Sequence, residues 1–143
     1  MSSSDAALIE RYFNHDAGYK PILIRDGWQI GHLNYMPELA VDAIDRVERH
    51  NRTDEVFILF RGTSLLIAAA ATSEGLHFEV TAMQPSVTYN IPAGCWHTIA
   101  MAPGDVVLIV ERDNTHLEDV EYRGLSSAER ASLRSLLAGA PGA

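Results

Sequence analysis

Glu48-Arg-His50-Asn-Arg-Thr-Asp-Glu55 runs directly into Val56-Phe-Ile-Leu-Phe-Arg-Gly62, and this stretch decides how the rest of the chain is read. Side chains two apart on an extended strand project to one face, so Glu48 and His50 point together, as do Glu55, Phe57 and Leu59. A second stretch, Asn90-Ile-Pro92-Ala-Gly94-Cys-Trp-His97, sets a histidine just after a Pro-x-Gly turn, which fixes where the next strand starts and how the ring is aimed. If the shared face is the inside of a barrel, two imidazoles and two carboxylates converge there. Buried carboxylates are costly unless protons or a cation compensate them, and these four groups all have metal-ligand chemistry.

The flanking sequence supports a barrel. Ile22 to Arg25 and Trp28 to Met36 are separated by Asp26-Gly27, a strong two-residue hairpin signal. Further strands are expected over Arg46 to His50, Glu55 to Arg61, Ser64 to Ala70, Leu76 to Met83, Thr88 to Ile91, Thr98 to Ala102 and Val106 to Arg112, with Gly, Pro, Ser and Asp turns between them. Many short strands with such punctuation indicate a sandwich or barrel. The first dozen residues, with Ala6, Ala7, Leu8, Ile9, Tyr12 and Phe13, predict a short helix. A second helix is expected from Ser127 to about Leu137, opened by the capping box Ser126-Ser-Ala-Glu129 and stopped near Gly139. Its apolar face, Leu133, Leu136 and Leu137, must pack on the barrel or on another subunit.

Composition narrows the function. The 143 residues suit one domain, with a barrel core over about 20–112. A net charge of −8 without any Lys/Arg cluster argues against nucleic acid, since phosphate binding needs clustered cations. The longest apolar run, Leu65 to Ala71, is far shorter than a membrane span of roughly 20 residues. Cys95 stands alone, so no intramolecular disulfide is expected, and with no signal-peptide pattern at Met1 the chain reads as cytoplasmic. No Gly-x-Ser-x-Gly nucleophile motif and no glycine-rich phosphate loop occurs.

The two stretches resemble the paired motifs of the cupin superfamily. The family's first motif runs Gly, five residues, His-x-His, three or four residues, Glu, six residues, Gly; this chain matches it at His50, Glu55 and Gly62. The second runs Gly, five residues, Pro-x-Gly, two residues, His, three residues, Asn; Pro92, Gly94 and His97 match. The departures are Glu48 for the first histidine, Asp42 and Ser86 for glycines, and Met101 for the asparagine. The segment Glu-Arg-His-x-x-Thr-Asp-Glu is also similar to a bacterial subgroup of small cupins. The resemblance implies an all-β, double-stranded β-helix (jelly-roll) barrel with short terminal helices, a pocket at one mouth and a homodimer. It further implies a divalent metal held by Glu48, His50, Glu55 and His97, where the second carboxylate favours Mn²⁺ or Fe²⁺, with Zn²⁺ also compatible.

Two functions follow as expectations. One is a metal-dependent enzyme of isomerase, lyase or dioxygenase type acting on a small polar or oxygenated molecule, with Glu48 or Glu55 moving a proton. The other is a non-catalytic cupin that binds a small ligand or serves as a sensor, with or without metal. Glu48 reads as a ligand, as a general base, or as a solvent-facing partner of Arg46 or Arg52. His32, Tyr35, Phe57 and Trp96 are candidates for the pocket wall, although His32 also reads as a structural histidine. His15, His77 and His116 read as surface residues, and Cys95 as a small buried hydrophobe.

Overall fold

Gly27 takes a φ of +91°, which glycine adopts without strain, and turns strand β1 (Gly18–Arg25) into β2 (Trp28–Asn34) with Arg25 opposite Trp28. The computed structural model describes residues 7–141. A 3-10 turn at Pro37–Leu39 leads into β3 (Arg46–Arg49), β4 (Glu55–Arg61), β5 (Leu65–Thr72), β6 (Gly75–Ala82), β7 (Thr88–Ile91), β8 (Trp96–Ala100) and β9 (Val106–Glu111). A single helical turn, α1 (Thr115–Glu118), then precedes β10 (Glu121–Gly124) and the closing helix α2 (Ser127–Ala138).

The strands form two antiparallel five-stranded sheets, ordered β1-β2-β9-β4-β7 and β10-β3-β8-β5-β6. Alternation along each strand sorts the side chains. Leu33, Phe57, Leu59, Val107 and Ile109 of the first sheet meet Leu66 and Ile99 of the second to make the barrel core. Leu65, Ile67, Ala69, Phe78 and Ala100 point out of the second sheet, where Leu133 and Leu137 of α2 cover them. The second sheet is therefore buried on both faces. Leu136, expected on the packed face, is instead 44% exposed, so the docking stripe of α2 is Glu129, Leu133 and Leu137.

Gly62 sits where the chain leaves β4, at φ +110°, and a Cβ there would collide with the Asp105 carboxylate. That carboxylate accepts hydrogen bonds from the Thr63 and Ala102 amides and from the Ser64 hydroxyl, tying two turns together. The glycine at this motif position thus has a steric reason. Strand β10 was not expected: Glu121-Tyr-Arg-Gly124 has no apolar alternation, and it becomes a strand by pairing with β3, helped by the Arg49–Glu121 ion pair and by Arg46 lying 4.2 Å over the Tyr122 ring.

Over its described part, residues 7–13, the expected N-terminal helix is irregular; its start before Ala7 lies outside the described residues. An isolated helix of this length is marginal. Just past this stretch the backbone finds other partners: the Asn34 amide donates to the Asn14 and Asp16 carbonyls, and the Asn14 side chain closes a local turn onto Asp16.

Glu129 closes the capping box with Ser126 and also accepts from Arg123 and from the Leu76 amide at 2.7 Å, which fastens α2 to β6. The Arg123 guanidinium, with the Ser126 and Leu76 amides, holds this carboxyl down at about 2. A depressed carboxyl stabilises the fold fully above its unfolded value of 4.5 and loses that contribution as pH falls towards 2. Glu129→Ala is expected to cost about 2 kcal/mol at pH 7 in urea denaturation. Near pH 2 the wild type and the variant should converge.

Candidate metal centre

Both motif stretches end at the same mouth of the barrel, and three contacts bind them to each other. The Gly94 amide donates to the His50 carbonyl at 2.6 Å, and the Asp54 carboxylate accepts from the Ala93 amide and the Asn90 side chain. Gly94 makes this turn at φ +83°. Glu48 on β3 lies opposite His97 on β8, so the second sheet supplies one wall. Glu55 and Phe57 on β4 and Glu111 on β9 point inward from the first sheet and supply the other. His50 follows the last residue of β3. The walls enclose a cavity of about 730 Å³ whose deeper lining is apolar, with Leu33, Phe57, Ile99 and Ile109.

The central group is Glu55, 5% exposed, whose Oε2 stands 2.8 Å from His50 Nε2 and 2.7 Å from His97 Nε2. Each imidazole is held from behind: His50 Nδ1 lies 2.7 Å from the Asp119 carbonyl, and His97 Nδ1 lies 3.0 Å from the Cys95 carbonyl. A carbonyl oxygen only accepts, so each Nδ1 carries a proton and each ring turns its Nε2 towards the carboxylate. Neither Glu55 Oε2 nor His97 Nε2 makes a hydrogen bond. The donors face a common centre rather than one another, as ligands around a cation do. Metal–donor bonds of about 2.1 Å place adjacent donors about 3 Å apart, close to the 2.7 and 2.8 Å from Glu55 Oε2 to the two imidazole nitrogens.

Glu48, His50 and His97 form one group, and His50, Glu55 and Glu111 another, each with donor atoms within 4.8 Å of one another. All four residues expected to bind metal therefore line one site, and the cluster could hold a metal ion. Burial, and then the charge of Glu55, raise the Glu48 carboxyl. Burial would push His50 down, but the adjacent Glu55 carboxylate outweighs it and holds the ring up at about 9; His97 is raised by the same balance. Burial raises Glu55 as well, yet the two imidazoles hold it well below the usual carboxylate range.

The pocket-wall candidates divide. Phe57 lines the cavity and meets the His97 ring edge to face at 5.8 Å. His32 instead lines a separate groove with Phe13 and Phe60, on the outer side of the first sheet, because Gln29, Gly31 and Leu33 hold the inward positions of β2; Tyr35, just past the end of β2, borders the same groove while packing against the barrel core. Trp96 precedes His97 in β8 and so faces outward, beneath the Arg49 guanidinium at 4.4 Å. His116, read as a surface residue, lines the cavity, with Nδ1 3.1 Å from Gln29 Nε2. Glu111, Tyr19 and Gln29 were missed as site residues. A signal existed: Glu111 shares its parity with Val107 and Ile109, and a charge on the apolar face of a strand marks a buried site.

Over 85% of its length the chain aligns with the capsular polysaccharide assembling protein CapF from Staphylococcus aureus, at 14% identity and a TM-score of 0.53, and it spans 36% of that protein. A cupin-2 domain protein from Shewanella frigidimarina aligns with 71% of the chain and 85% of its own, at 22% identity and a TM-score of 0.47. The two antiparallel five-stranded sheets match the jelly-roll fold class expected from the cupin resemblance. KdgF from Halomonas sp. is a further similar structure, at 13% identity over 73% of this chain and 89% of its own, with a TM-score of 0.48. No family model and no curated protein matches the sequence. No helix among the described residues is long and apolar enough to cross a membrane.

In the metal-free protein, the raised His50 contributes stability below its unfolded value of 6.5, and this is lost as pH rises through about 9. Urea denaturation with chelator present should show that decline. Glu55→Gln removes the charge that raises the ring, so its stability should change little across the same interval, and the imidazole titration followed by NMR should fall to about 6.5 or below.

Proposed function

We propose that the chain is a metal-dependent cupin enzyme acting on a small polar or oxygenated molecule, of the bacterial subgroup its Glu-Arg-His-x-x-Thr-Asp-Glu segment resembles. One observation carries the reading: both imidazoles are locked through Nδ1 to backbone carbonyls, leaving Nε2 beside a buried carboxylate with no hydrogen bond between them. His50, His97 and Glu55, with Glu48 at the cavity wall, would hold a divalent ion. When bound, such an ion polarises a carbonyl, hydroxyl or enediolate oxygen of the substrate. The mixed nitrogen and oxygen donors suit Mn²⁺ or Fe²⁺, and also Zn²⁺.

The chain's own residues support proton transfer best among the isomerase, lyase and dioxygenase types. Glu48 is a carboxyl raised by burial on the wall of the cavity, the condition under which a carboxylate serves as a base near neutral pH. Leu33, Phe57, Ile99 and Ile109 exclude water from the far side of the substrate and take its apolar portion. Arg46 shares the face of Glu48 along β3 and also lines the cavity, where it can receive a polar group at the outer end.

Metal content by inductively coupled plasma mass spectrometry is the deciding measurement. Near-stoichiometric Mn, Fe or Zn is expected in protein purified without added ions, with loss of most of it in His97→Ala and Glu55→Ala. Glu48→Gln should retain metal more fully while losing turnover by about 100-fold or more. Protein that stays metal-free after dialysis against all three ions would overturn the reading and leave a ligand-binding or sensor barrel.

A further inference from the structure

Glu111 stands at the end of β9 with one carboxylate oxygen engaged and the other free. Oε1 accepts from the Tyr19 hydroxyl at 2.9 Å and from Gln29 Nε2 at 3.0 Å. Oε2 is buried, has no hydrogen-bond partner, and lies 3.9 Å from His50 Nε2. The residue is 6% exposed, and Gln29 is fully buried opposite it in the β2–β9 register. Leaving a carboxylate oxygen both buried and unpartnered costs more than leaving a neutral acceptor so, and two donors on Oε1 fix the rotamer that aims it inward.

The clamp is itself built for this. Gly31 lies under the Tyr19 ring, where any Cβ would collide with it, so the ring can cross the inner face of β2 and reach Glu111 only because position 31 is glycine. A buried, oriented, unpartnered oxygen at the rim of a nitrogen and oxygen donor cluster is a ligand atom with its supporting hydrogen bonds already in place. We infer that Glu111 is a further metal ligand, binding through Oε2, and that Tyr19 and Gln29 are its positioning residues. The inference rests on the metal reading above and extends it: the centre becomes two imidazoles with up to three carboxylates, a set that favours Mn²⁺ or Fe²⁺ in a higher-coordinate geometry over four-coordinate Zn²⁺.

The test uses metal binding without turnover. Mn²⁺ affinity is measured by calorimetry, and Co²⁺ loaded in its place is followed by its d–d absorption, for wild type, Glu111→Gln and Tyr19→Phe. Expected are weak bands of five- or six-coordinate Co²⁺ in the wild type, stronger four-coordinate bands in Glu111→Gln, and Mn²⁺ binding weakened by about 100-fold in that variant and about tenfold in Tyr19→Phe. Wild-type affinity and an unchanged Co²⁺ spectrum in Glu111→Gln would overturn the inference while leaving the metal reading intact. Should Glu111→Gln fail to fold, Tyr19→Phe decides: undiminished Mn²⁺ affinity there overturns the clamp. A wild type that binds neither ion removes the metal reading and this inference together.

Discussion

A carboxylate inside a barrel must be compensated, and the placement of Glu55 between two imidazole nitrogens at 2.7 and 2.8 Å is the contact around which the polar half of this molecule is organised. Removing an ion of this size from water costs several kcal/mol even after relaxation, and only closely placed opposite charge recovers it. The imidazoles cannot turn away, because the Asp119 and Cys95 carbonyls hold their other nitrogens. Asp119 works twice here: its carbonyl orients His50, while its carboxylate accepts from the Asn51 and Arg52 amides and sets the turn that carries the ring. The loop around α1 therefore belongs to the site as much as the strands do.

The rest of the cavity shows which charges the site accepts. Its lining includes the carboxylates Glu38, Asp45, Glu48, Glu55 and Glu111 but only one guanidinium, Arg46, which lies over Tyr122. With a chain charge of −8 as background, the mouth attracts cations and repels anions before any contact forms. Under the proposed reading, a bound divalent ion would reverse part of that local field and favour an oxygenated substrate at the loaded site.

The strand pattern was legible because turns and alternation are local properties. The Asp26-Gly27 hairpin, β4 and β7 lie where the residues place them, and His50, Glu55 and His97, picked out by their spacing, come together. What escaped depends on distant partners. Strand β10 exists through its pairing with β3, and Asn14 and Asp16, just past the expected N-terminal helix, are tied to Asn34. The inner face of β2 was hidden for a related reason: Trp28, Ile30 and His32 are the bulkier set, but Gln29, Gly31 and Leu33 point inward, where the Gln29 amide joins the buried polar network and the Tyr19 ring passes over position 31. Polar residues on an inner face read as outer until their partners are known.

Glu48 in place of the expected histidine changes more than the donor atom. A neutral imidazole there would sit beside Glu55 without repulsion; a carboxylate is raised by burial and by the charge of Glu55. The metal-free site is therefore less stable than one with three histidines, and under the proposed reading more of the binding energy of the ion appears as folding stability. Burial, and then the charge of Glu55, make Glu48 easier to protonate than an ordinary carboxyl, whereas Glu55, held between two imidazoles, stays charged. Two carboxylates of one cluster are thus driven in opposite directions by their neighbours, which separates the residue suited to holding an ion from the residue suited to moving a proton.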